Sequence, residues 1–334
     1  MSTPQPPTAP PEYRDRSGRL ETVGAVQIML GCICGLVALF LGALRLLPMG
    51  RAAQGGGPPM IVHMVAFYLG LAVVFIWLGK GMISARRWAW TLTVVCSWMW
   101  LLFGGLAFIN VEFIVGPRTW DYMAQQQGKM PAQFVETTSL FSGVFLAFLY
   151  LGLPGFSLML SQHESVRATC VRRDPRVPWT DRCPMPVLAI VLFLPFSILS
   201  LVTLKFVFPC FGIFLSGGAG ALATALTAII VAGVAWGMYR LRMSAWWGAL
   251  LLGIASSLNT AMTFARADIA EMYKQQGFSA ATLEMLQKPG LLELMRQWGL
   301  WTGLAGGIAW VVYLVAARRY FTKSEGPAVG QATM

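Results

Sequence analysis

Charge is scarce in this sequence: 12% of its 334 residues are Asp, Glu, Lys or Arg, and only two are His. That is too little polar surface to solvate a globule of this size, and an apolar content of 56% with a mean hydropathy of +0.62 excludes an ordinary soluble domain. No carboxylate falls inside any of the long apolar stretches, which argues against proton or sodium coupling through a mid-membrane Asp or Glu. Enzyme signatures are missing too, with no HExxH, GxSxG, P-loop or dinucleotide fingerprint. His163, Cys170 and Cys183 would offer three zinc ligands, but their spacing matches no common zinc pattern and no fourth ligand is evident. The six cysteines make no disulfide framework, because Cys32, Cys34 and Cys96 lie in apolar stretches, Cys170 and Cys183 in one loop, and Cys210 apart from both. We expect no catalytic residue, cofactor or metal.

What the chain does have is apolar material in eight blocks: 23–47, 60–79, 88–111, 140–160, 187–208, 220–238, 245–264 and 298–316. Each is long enough, at about 1.5 Å per residue, to cross a hydrocarbon core of about 30 Å. The expected fold is an all-α integral membrane protein of eight transmembrane helices. Threading the blocks through a bilayer puts 16 of the 25 Lys and Arg on the side of the N-terminus, while the 14 acids split evenly. By the positive-inside rule both termini are cytoplasmic, and the membrane is the plasma (inner) membrane if the cell is bacterial. His63 and His163 then lie on opposite sides and cannot share a haem. The basic residues, among them Arg86, Arg87, Arg167, Arg173, Arg240, Arg242, Arg318 and Arg319, form small groups at helix ends. That is a topogenic and anionic-headgroup pattern rather than a nucleic-acid surface.

The chain also reads as duplicated. At an offset of 160, Arg45 meets Lys205; at 159, Trp77 and Trp88 meet Trp236 and Trp247; at 163, Tyr150 and Leu151 meet Tyr313 and Leu314. Four spans per half is an even number, so the halves are expected as two tandem parallel repeats, 20–160 and 181–319. Around them lie a Pro-rich disordered cytoplasmic tail, 1–19, an Arg-rich cytoplasmic linker, 161–180, and a cytoplasmic tail, 320–334. Asp181 reads as a cap or headgroup-level residue before the fifth span. The outer loops, 112–139 and 265–297, are expected to carry amphipathic surface helices. In the second loop the seventh span is expected to run on past Tyr273 to Gly277, with a new helix starting at Ser279.

Two groups of residues are candidate sites. Arg45 and Lys205 are the charged residues within the spans, each near an outer end, where they read as paired basic anchors that snorkel to headgroups. Ser256, Asn259, Thr260, Thr263 and Arg266 recur at helical steps on the most polar span, with Asp268 just beyond. Such a face would line a polar cavity, or supply ordinary hydrogen bonds between helices. Gly31-x-x-x-Gly35 and Gly303-x-x-x-Gly307 allow close helix packing, and Pro195 and Pro209 are expected to kink the fifth span. The expected activity is a non-enzymatic module that binds a membrane partner or lipid. The alternative is a transporter or channel for a small neutral or weakly polar solute, using the face at 256–266.

Overall fold

The computed structural model describes residues 15–46, 58–115, 132–203, 207–275, 283 and 291–322. It is a helical protein with the element order α1 (Ser17–Leu46), α2 (Pro58–Ile83), α3 (Arg87–Ile109, continued by a π turn, Asn110–Val115), α4 (Ala132–Ala147), a second π turn (Phe148–Gly152), α5 (Leu153–Ser161) and α6 (Glu164–Arg173). After a 3₁₀ turn (Trp179–Arg182) come α7 (Met185–Thr203), the hairpin β1 (Phe208–Cys210) and β2 (Ile213–Leu215), α8 (Gly217–Tyr239), α9 (Met243–Arg266), α10 (Ile269–Gln275), α11 (Leu291–Ala317) and α12 (Arg319–Thr322).

Among the described residues seven helices are long and apolar enough to cross a membrane. Their outward faces stay apolar, with Leu39, Phe141, Ile229 and Ile308 all exposed. A helix that is apolar all round has lipid as its outer solvent, and a helix closes its own backbone hydrogen bonds there. The chain is therefore a multi-pass membrane protein.

The fifth apolar block departs from expectation. Its helix α7 ends at Thr203, with Met185–Ile198 a shorter apolar segment, and Phe208 belongs to a β-hairpin instead of a span. Pro209, lacking an N–H, cannot continue a helical ladder. Phe211 and Gly212 then take left-handed conformations (φ 47° and 105°), the combination that a two-residue hairpin turn needs. The seventh span, expected to run on past Tyr273, also ends earlier. Helix α9 stops at Arg266, Ala267 is extended, and Asp268 starts α10 by accepting from the N–H of Ala270 (2.9 Å) and Glu271 (3.4 Å). Gly277 and Ser279, expected as caps, lie outside the described residues.

The chain divides into two compact units, Met1–Ile33 with Leu71–Arg182, and Cys34–Gly70 with Cys183–Met334. The first has a core that includes Leu78, Met82, Trp90, Leu92, Val95 and Leu158, and Val166, Thr169 and Cys170 of the segment expected as an Arg-rich linker are buried. The second centres on Val187, Leu188, Met238, Trp246, Ala249 and Leu314. Helices α9 and α11 lie close, since a Cβ added at Gly303 would come 2.9 Å from the Thr260 methyl.

Each unit contains the same turn. In the first, α2 ends with Ala85 left-handed (φ 49°), the Arg86 N–H donating to Gly81 O (2.9 Å) and the Ala85 N–H to Met82 O (2.9 Å). In the second, Leu241 is left-handed (φ 54°), Arg242 donates to Gly237 O (3.0 Å) and Leu241 to Met238 O (2.9 Å). Both are Schellman caps. Both need a glycine at the same place, because a Cβ at Gly81 or Gly237 would sit 2.5 Å from the Cβ of Ala89 or Ala245. Residues in the two turns correspond at an offset of 156, so Trp90 matches Trp246. The expected pairing of Trp88 with Trp247 at 159 is not the register of these turns: Trp90 and Trp246 are buried, and Trp247 is exposed.

Candidate functional site

The polar residues expected to share one face of α9 are given different tasks. Asn259 bonds the hairpin through both ends of its amide: Nδ2 donates to Pro209 O at 2.9 Å and Oδ1 accepts from the Phe211 N–H at 2.6 Å. The side chain thereby acts as a third strand for the turn. Its neighbour Ser257 donates to Gly303 O at 2.7 Å, and the Thr260 methyl rests on Gly303. Thr263 is buried, and its hydroxyl has no partner among the described residues. Ser256 and Arg266 are exposed, and Asp268 is the α10 cap. Arg296 donates to Ala265 O, one of the carbonyls left open at the end of α9. Arg45 belongs to α1, but its side chain, like the whole of Lys205, lies outside the described residues.

A more concentrated chemistry lies where the matched turns meet the ends of α5 and α11. Trp90 donates its indole N–H to Ser161 O at 2.8 Å, with the Arg167 guanidinium 5.9 Å above its ring. In the second unit Trp246 donates to Leu314 O at 2.9 Å, with Arg318 at 5.6 Å. Each indole closes a carbonyl near a helix end, and each ring carries a cation on its face.

The charges around these two clamps differ. In the first unit three arginines have carboxylate partners: Arg86 lies 3.7 Å from Asp174, Arg87 2.6 Å from Asp181, and Arg173 3.1 Å from Asp15, while Arg167 is exposed without one among the described residues. Asp181, expected as a cap, sits in the 3₁₀ turn and also accepts from Thr91. The N–H of Ser17 and the guanidinium of Arg173 hold the Asp15 carboxyl below its ordinary value. In the second unit Arg240, Arg242, Arg318 and Arg319 are all exposed, and among the described residues none has a carboxylate partner. Their company is aromatic: Arg240 lies 4.9 Å over Trp236, and Arg319 lies 5.0 Å over Tyr320.

The residues weighed for zinc are occupied otherwise. His163 caps α6, its Nδ1 accepting from the Ser165 N–H at 3.3 Å. Cys170 and Cys183 are buried, and burial pushes each thiol up to about 12. Among the described residues no group of three His, Cys, Asp or Glu is arranged to hold a metal ion.

Two features escape the sequence reading. The hairpin at 208–215 is announced only by Pro209 and the Phe-Gly pair at 211–212, inside a run that is otherwise apolar. Gln27, which in sequence merely interrupts an apolar stretch, is buried and bonded to Thr93. Comparison with protein-family models, curated proteins and solved structures finds no match to this chain.

Proposed function

We propose that this chain is a non-enzymatic membrane module that binds anionic lipid at the arginine end of its second unit. The observation that carries the reading is the set of four exposed arginines, Arg240, Arg242, Arg318 and Arg319, without carboxylate partners among the described residues and set among Trp236, Trp246 and Tyr320. Guanidinium groups match phosphate oxygens through paired N–H donors, and Trp and Tyr favour the headgroup level of a bilayer. Arg86, the counterpart of Arg242 in the matched turn, is already held by Asp174 and has less to offer a phosphate.

The same reading takes the chain as eight spans in two parallel four-helix repeats, with both termini cytoplasmic and the arginine ends at the anionic inner leaflet. The shared caps and the two tryptophan clamps support the duplication. The transport alternative loses support, because Asn259 and Ser257 direct their polar atoms to backbone groups of the protein.

The test is thermal unfolding of the purified full chain with phosphatidylglycerol or phosphatidylcholine added. Phosphatidylglycerol is expected to raise the midpoint more than phosphatidylcholine, and the combined variant R240Q/R242Q/R318Q/R319Q is expected to abolish that difference. Equal responses to both lipids, or a preference that survives in the variant, overturn the proposal.

A further inference from the structure

Gln27 lies in α1 with 8% of its surface exposed, an uncharged polar group inside a membrane span. Its Nε2 donates to Thr93 Oγ1 of α3 at 3.0 Å, while the buried Oε1 has no hydrogen-bond partner among the described residues. Turning the amide over exchanges an unpaired acceptor for an unpaired donor, so either orientation leaves one atom open. An open polar atom in a dry interior is destabilising, because it has given up water without gaining a partner.

Gln27 also lines a cavity of about 40 Å³ within the first unit. Its polar wall is Gln27, Thr93, Ser97 and Ser157, with the Ser97 and Ser157 hydroxyls 3.0 Å apart. Cys96 and Trp100 line it as well, as does Pro154, which follows the π turn at Phe148–Gly152. No lining side chain is charged, so the cavity offers nothing to balance an ion. A water needs about 10–15 Å³ on this measure, so the space exceeds one water.

We propose that this cavity is a binding site for a small uncharged hydroxyl compound, water or a short alcohol, which donates its O–H to Gln27 Oε1. The hydroxyl completes the amide, and the apolar walls take the rest of the molecule. The site is separate from the lipid site and does not depend on it.

The test is ¹⁹F NMR of trifluoroethanol titrated into the purified full chain, beside spectra that report contact between water and the Gln27 amide. Saturable broadening of the trifluoroethanol signal is expected for the natural chain and is expected to be lost in Gln27→Leu. Cys96→Met, which fills the space and keeps Gln27, is expected to lose it as well. Water contact at the Gln27 amide without saturable alcohol binding, removed by Cys96→Met, assigns the site to water. Neither signal in the natural chain, or signals unchanged in both variants, overturns the proposal.

Discussion

Ala85 and Leu241 hold the same left-handed backbone conformation, φ 49° and 54°, at matching positions of two Schellman caps. Neither is glycine, and for an L-residue this conformation costs about 1–2 kcal/mol. The glycines of each turn are needed elsewhere, at Gly81 and Gly237, where the next helix crosses too close for a Cβ.

Exchanging these roles gives opposite outcomes. Ala85→Gly, which gives up only a methyl, is expected to raise the stability of the purified protein by up to about 1 kcal/mol, the left-handed cost less the added backbone entropy. Gly81→Ala and Gly237→Ala are expected to lower it by about 1–3 kcal/mol, because the new methyl meets that of Ala89 or Ala245. Thermal unfolding in one detergent reads both signs, and a stabilised Gly81→Ala would refute the packing described for the turn.

Trp90→Phe and Trp246→Phe keep an aromatic ring and remove the indole N–H, which leaves Ser161 O or Leu314 O without that donor. Each is expected to cost about 1–3 kcal/mol. Trp98, which is exposed, is the control: Trp98→Phe is expected to change stability by less than about 0.5 kcal/mol. Equal effects at all three positions would show that the clamps contribute nothing particular.

Asn259→Ala removes both hydrogen bonds to the hairpin. Amide hydrogen exchange at Phe211 is expected to speed up at least tenfold, with little change in the first unit. Asn259→Asp keeps the acceptor for the Phe211 N–H and loses the donor to Pro209, so its effect should be intermediate. Protection at Phe211 that is unchanged in Asn259→Ala would contradict the assignment.

The thiols of Cys170 and Cys183 are each pushed up to about 12 by burial. A thiol whose folded value lies above its unfolded one favours the folded state fully below about pH 9, and this contribution is lost as pH rises toward 12. N-ethylmaleimide, which reacts with thiolate, is therefore expected to leave both residues unmodified in the folded protein at pH 7.5 and to label them after denaturation. Labelling of either at pH 7.5 without unfolding would show that its burial is wrong.

The apolar blocks were legible because lipid demands length and apolar composition over some twenty residues, and both are written directly in sequence. The hairpin was not, since two three-residue strands fall within the length of a presumed helix end and only Pro209 and Gly212 speak against a helix. The polarity of α9 was legible, but its use was not: Asn259 can bond a solute or a backbone, and only the arrival of Pro209 and Phe211 beside it decides. The two matched turns show the same limit. Tryptophans matched by type give an offset of 159, while the left-handed residues and crossing glycines of the two turns correspond at 156. Gln27 was visible as a polar interruption, but its open Oε1 depends on which groups of α3 and α5 come near.

The most direct measurement for the central claim is native mass spectrometry of the full chain, gently extracted from its host membrane, beside R240Q/R242Q/R318Q/R319Q treated in the same way. The account predicts a discrete mass of retained anionic phospholipid on the natural chain and its loss from the variant. A bare chain, a neutral lipid retained equally by both, or a stoichiometric protein partner with no lipid would contradict it.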